Sequence, residues 1–172
     1  MNPAIFSDNK GTSAIEFAIC LPFLVMLYTG IFQLAEGLSA YRKVTLTART
    51  LGDLTSQYTA VSDADLDLIL NASQQVLAPY RVSAATMTIS QIKIDASGLS
   101  TVDWSRGKNC SSLVAGSAFT IPAAIKTPNT YLIVATLNYS FVPTFGSGII
   151  GNIPLSDQII MNPRATARIT KS

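Results

Sequence analysis

One stretch of this 172-residue chain limits its folding more than any other: Ala14 to Ala35, AIEFAICLPFLVMLYTGIFQLA, in which Glu16 is the only charged residue. At 1.5 Å per residue a helix over it is about 33 Å long, enough to cross a hydrocarbon core about 30 Å thick. The uncharged run from Phe17 to Phe32 is longer than a small soluble domain ordinarily hides in its core. It predicts one membrane-spanning helix. No second span is expected, because the next richest run, Tyr131 to Phe145, contains Asn138 and Pro143 and alternates like a strand.

Composition points the same way and excludes several functions. Hydrophobic residues make up 48% of the chain and charged residues 13%, against a soluble average of about 25%. Mean hydropathy is +0.35. Twelve basic and ten acidic residues leave a net charge of +2 with no concentrated basic patch, so no nucleic-acid partner is expected. There is no histidine, which excludes Ser-His-Asp and Cys-His nucleophiles, histidine-ligated zinc and histidine-held haem. Cys20 lies in the apolar run and Cys110 in a polar stretch, a pairing that supports neither a cysteine-only metal site nor a disulfide. No catalytic residue, metal, cofactor or small-molecule ligand is expected.

The entrance to the span carries its own pattern. Lys10-Gly11-Thr12-Ser13-Ala14-Ile15-Glu16-Phe17 sets a glycine after a lysine and a carboxylate five positions beyond the glycine. An ionisable group inside a membrane costs about 2.5–3.5 kcal/mol on insertion scales, so Glu16 calls for a partner or a role. The plainer alternative is a first-turn acid in the headgroup region, favoured by the helix dipole. This spacing resembles a type IV prepilin leader. The resemblance implies cleavage by a prepilin peptidase between Gly11 and Thr12, which would leave Glu16 as the fifth residue of the mature chain. The new Thr12 amine and Glu16 would then stand one helical turn apart. In assembled pilins the family's glutamate is thought to pair with the N-terminal amine of a neighbouring subunit.

Reading on from Gly11 to Leu24 narrows the resemblance. Glu16-Phe17-Ala18 and Leu21-Pro22 are similar to the opening of TadE-like proteins of the tight adherence (Tad, or Flp) pilus system. Thr12 departs from the phenylalanine that usually opens the mature type II secretion pseudopilins. The resemblance implies a non-enzymatic pseudopilin or minor pilin with a pilin-like α+β fold. Its implied partners are prepilin peptidase, other pilins and pseudopilins, and inner-membrane lipid. The N-terminus would be cytoplasmic and the C-terminal domain periplasmic. Pro22 is expected to kink the helix, as spanning helices tolerate.

Two other readings stay open. Lys10 and Phe17 to Phe32 also suit a secretory signal peptide, cut near Ala35-Glu36-Gly37 or Ser39-Ala40 to release a secreted domain. An uncleaved anchor similar to TadG-like proteins is the other. Basic residues also give a conflicting sign: Arg42, Lys43 and Arg49 follow the span while only Lys10 and the terminal amine precede it, which by itself favours the opposite orientation.

The chain divides into a leader at 1–11, a transmembrane helix at 12–35, its continuation at 36–58 and an α+β extracytoplasmic domain at 59–172. The first helix is expected to reach about Thr55, packing through Leu34, Leu38, Tyr41, Thr45, Ala48 and Leu51. A second helix is expected to start at the N-cap Ser62, with Asp65 at capping-box distance and Leu66, Ile69, Leu70, Ser73 and Leu77 on one face, and to stop before Pro79. Strands follow. Met87 and Ile89 alternate in one parity and Ile92 and Ile94 in the other, which predicts a bulge near Ser90-Gln91. Ala96-Ser97-Gly98 should turn the chain into a second strand through Val102-Asp103-Trp104. A polar loop is expected from Arg106 to Ala118, a connection from Thr120 to Asn129, and a strand from Tyr131 to Val142. A last strand is expected over Gln158 to Ile169, with Pro163 marking an edge or a break. The sheet should be antiparallel and packed beside the long helix.

Four constellations are set aside. Gly146-Ser147-Gly148-Ile149-Ile150-Gly151 matches G-x-G-x-x-G, but Pro154 and the short remaining chain leave no room for a nucleotide-binding βαβ unit, so a flexible loop is expected. Asp63, Asp65 and Asp67 lack the glycine and closing glutamate of a calcium loop and suit a helix start. Asp95 and Asp103 flank a turn, and Trp104, Tyr139 and Phe141 are expected in the core or at subunit contacts.

Overall fold

The computed structural model describes residues 10–145 and 147–172. Its first element, α1, is a single helix of 47 residues, Lys10–Ser56, unbroken through Pro22. At 1.5 Å per residue it is about 70 Å long. Its two halves have different surroundings. From Ile15 to Leu34 the large apolar side chains stand exposed, among them Phe23, Met26, Tyr28 and Leu34. Beyond Glu36 one stripe becomes fully buried, formed by Ala40, Val44, Thr47, Ala48 and Leu51. This corrects the expected face: Ala48 and Leu51 belong to it, but Leu34, Leu38 and Tyr41 point outward. Small residues replace them because the helix must lie close to the sheet. At Gly52 an added Cβ would come 2.8 Å from the end of the Met161 side chain.

A short strand β1 (Ala60–Val61) leads into α2 (Asp63–Gln74). Its start is the expected capping box: the Ser62 hydroxyl accepts from the Asp65 amide while the Asp65 carboxylate accepts from the Ser62 amide. Leu66, Ile69, Leu70 and Ser73 are buried, as is Leu77 in the 3-10 turn that ends the helix. Pro79 follows in a cis peptide bond.

Four antiparallel strands form the main sheet: β2 (Ala85–Ile94), β3 (Ser100–Lys108), β4 (Thr130–Phe141) and β5 (Ile153–Met161), in the order β3-β2-β4-β5. A bulge lies close to the expected place, but its extra residue is Asp103 on β3, where the register slips from Gln91–Trp104 to Ile92–Val102 and turns Trp104 and Val102 to opposite faces. β2 itself alternates without a break against β4, so its odd and even positions face opposite sides. Met87 and Ile89 therefore join Ile133, Leu137 and the buried stripe of α1 in the main core. Ile92 and Ile94 instead meet Val102, Leu132 and Val134 in a second core on the outer face. Ile121 and Phe119 cover that second core, so the region expected to be only loop and connection acts as its lid.

The C-terminal part departs most from expectation. The segment expected to be a loop contains a one-turn helix, α3 (Ser147–Ile150), and β5 begins earlier than the expected last strand. Pro154 is accommodated because β5 is an edge strand. At Pro163 the chain has left the sheet, so the proline marks a break, and the final strand is the short β6 (Thr170–Lys171), parallel to β1. The buried Gln91 at the bulge secures this tail: its amide nitrogen donates to the Ile169 carbonyl at 3.0 Å and to Asp103 at 2.7 Å, and its oxygen accepts from the Ile169 amide at 2.9 Å. Trp104 is a core residue whose indole donates to the same carbonyl.

Candidate functional site

The residues singled out at the entrance to the span all lie on one continuous helix. Gly11 and Thr12 are in its first turn, and Glu16, Phe17 and Pro22 follow on the exposed part. Among the described residues, the positions from Thr12 to Pro22 are all exposed. No ion pair to Glu16 is formed among the described residues. Glu16 is thus a carboxylate at the head of an uncharged apolar run, Phe17 to Gln33, with no ion-pair partner among the described residues.

The helix is built for an apolar medium over the same stretch. It is the one helix among the described residues long and apolar enough to cross a membrane, and its apolar window is unburied within the chain. Thr29, its most polar residue between Glu16 and Gln33, turns its hydroxyl onto the carbonyls of Val25 and Met26 at 2.9 and 3.0 Å. Such a back-bond hides the hydroxyl where water is absent.

Where this stretch ends, the domain is fastened to α1. Gln33 donates its side-chain amide to the Phe145 carbonyl at 2.6 Å, and the Phe32 and Phe145 rings meet edge-on with centroids 6.3 Å apart. One turn later the Glu36 carboxylate accepts from the Thr144 hydroxyl at 2.9 Å, and the Glu36 carbonyl accepts from the Tyr80 hydroxyl at 3.3 Å. Tyr80 packs edge-on against Tyr139. Burial, with the Glu36 charge adding to it, pushes the Tyr80 phenol above its usual range. None of Gln33, Glu36, Tyr80 or Thr144 was expected as part of a site. Their signal in the sequence is slight: Gln33 is the first side-chain amide, and Glu36 the first charge, after the long uncharged run.

The acidic residues weighed as alternative sites have structural partners. Asp67 takes a bidentate bond from Arg106 at 2.9 and 2.7 Å, Asp63 pairs with Lys171 at 2.8 Å, and Asp65 completes the capping box of α2 by accepting from Ser62. These hydrogen bonds hold all three carboxyls below their ordinary range. Asp95 organises its turn by accepting from the Ser97 and Leu99 amides, and Asp103 receives Arg168 and Gln91.

With that geometry in view, one comparison bears on the helix. Residues 11–52 match the family model described as TadE-like protein. The N-terminal helix is TadE-like. No curated protein and no solved structure matches the chain. The TadE-like segment starts at Gly11, includes the whole exposed stretch and ends among the buried positions of α1. It therefore joins the apolar half of the helix to the half that holds the sheet.

Proposed function

We propose that this protein is a pseudopilin or minor pilin subunit acting in the biogenesis of a Tad (Flp) pilus, without enzymatic activity. The observation that carries this reading is the single TadE-like helix whose first half bares its apolar side chains and whose second half is built into a domain core. Prepilin peptidase cuts between Gly11 and Thr12. The subunit sits in the inner membrane by one pass, N-terminus in the cytoplasm and domain in the periplasm. During assembly the helix enters a bundle with other pilins, where Glu16 neutralises the Thr12 amine of a neighbour. Phe17 and Pro22 belong to the same assembly and processing motif. The unbroken helix also argues against signal-peptide removal near Ala35 or Ala40, because that cut would fall inside α1 beside the buried Ala40.

Intact-mass measurement of the membrane form tests the reading. An N-terminus at Thr12 is expected. Retention of Met1 to Gly11 would favour the uncleaved anchor, and a start near Tyr41 would favour a secreted domain. The assembly role of Glu16 is tested separately by Glu16→Val, expected to be processed normally and to lower pilus yield severely; normal piliation would remove the docking role.

A further inference from the structure

The connection between β4 and β5 returns to α1 at one level of the helix. Phe145 packs on Phe32 and accepts from Gln33, and Thr144 bonds to Glu36. From Ala14 to Phe32 the helix rises about 27 Å. These contacts thus fall at the far edge of a hydrocarbon core about 30 Å thick that is entered near Ala14. At that level the connection presents apolar side chains that stand partly exposed among the described residues: Val142, Phe145 and Ile153 are 52%, 54% and 39% exposed. No charged residue occurs anywhere between Lys126 and Asp157. The patch is continuous with the exposed surface of α1 through a groove shared by Leu34, Leu38, Phe141 and Pro143. At the other end of the sheet the β2–β3 turn opens on Asp95.

We propose that the β4–β5 connection is a membrane-interfacial foot that beds Val142, Phe145 and Ile153 into the headgroup and acyl boundary of the bilayer crossed by α1. Its occupant is a phospholipid surface. The patch lies level with the end of the span and joins the span's own lipid-facing surface, while Glu36 and Arg81 flank it beside Val142 and Thr144, so apolar side chains adjoin charged ones as an interfacial segment requires. The Gln33 and Glu36 contacts then fix the depth of the domain, so α1 leaves the membrane with the sheet already seated on it. This inference rests on the reading of α1 as a membrane anchor.

Nitroxide accessibility on the full chain separates the two claims. With Cys20→Ser and Cys110→Ser as background, single labels are placed at Ser147→Cys in the foot, Ser97→Cys in the distal turn and Leu27→Cys in the span. The protein is reconstituted in phosphatidylethanolamine and phosphatidylglycerol vesicles, and collision with oxygen is compared with collision with a water-soluble nickel chelate. The oxygen-to-nickel ratio at 147 is expected to be several-fold above that at 97 and below that at 27. A ratio at 147 equal to that at 97, with 27 still high, overturns the foot and leaves the anchor standing. A low ratio at 27 overturns both. Phe145→Asp is expected to bring the ratio at 147 down to that at 97, and an unchanged ratio would contradict the role of Phe145.

Discussion

The two halves of α1 are made from similar apolar residue types and behave oppositely. Between Ile15 and Leu34 the helix carries large side chains on every side and buries none of them within the chain. Between Ala40 and Leu51 it buries a narrow stripe that begins with alanine and valine and closes on leucine. The difference lies in the medium each half must match. Lipid accepts bulky apolar groups all round a helix. A sheet accepts one face, and small residues there let the backbones approach. Hydrophobicity alone therefore does not say which side of such a helix is inside; side-chain size and the position of charges do.

The sharpest way to break this comparison is to truncate one leucine in each half. Leu51→Ala should destabilise the domain by about 2–5 kcal/mol, as cavity-forming core substitutions do. Leu27→Ala should leave domain melting unchanged, because Leu27 is exposed and touches no domain core. Circular dichroism melts of both variants in the same vesicles measure this, and equal losses would mean the first half is also packed in the domain.

A smaller effect is expected at the tail. Gln91→Leu leaves the buried Ile169 amide without its acceptor, at a cost of about 1–3 kcal/mol. Chemical denaturation should show the loss, and amide exchange should show β6 released first.

The smallest effect is electrostatic and falls only on the domain. Asp63, Asp65, Asp67 and Asp95 are held below their ordinary value of 3.8 by hydrogen bonds from Lys171, Ser62, Arg106 and Ser97 respectively. Their folded-state values lie under the unfolded one, so their contribution is complete above it and is lost as pH falls through the lowered values. The melting temperature should hold from neutral pH down to about pH 5 and decline below about pH 4. Asp67→Asn should flatten part of that decline, while the unburied half of α1 keeps its helicity throughout.

Much of this was legible in the sequence because the signals were local. The capping box at Ser62 and Asp65 needs only four residues, and the change of parity from Met87 and Ile89 to Ile92 and Ile94 marks a strand that serves one core on each face, although the bulge beside it belongs to β3 and is not what the parity records. Gly11, Thr12 and Glu16 were legible as a pattern on one helix. What stayed hidden depended on distant parts of the chain. The packed face of α1 was misread because Leu38 and Tyr41 fit the helical period as well as Ala40 and Val44 do, and only the sheet selects between them. Ile121 looked like part of a connection until Ile92 and Leu132 supplied the surface it covers. The junction joins Glu36 to Tyr80 across 44 positions and to Thr144 across 108, and no spacing announces it.

The central claim is that one helix lives in two media, and a cysteine scan of α1 measures it most directly. With Cys20 and Cys110 replaced by serine, positions 15 to 55 are substituted singly in the full chain and exposed, in vesicles, to a membrane-impermeant maleimide. From 15 to 34 every position should be unreactive whichever side of the helix it occupies. From 38 to 55 reactivity should rise and fall with the helical repeat, with minima at Ala40, Val44, Ala48 and Leu51. A helical repeat of reactivity through the first half would contradict the account, because it would place water along one side of a helix that should meet none.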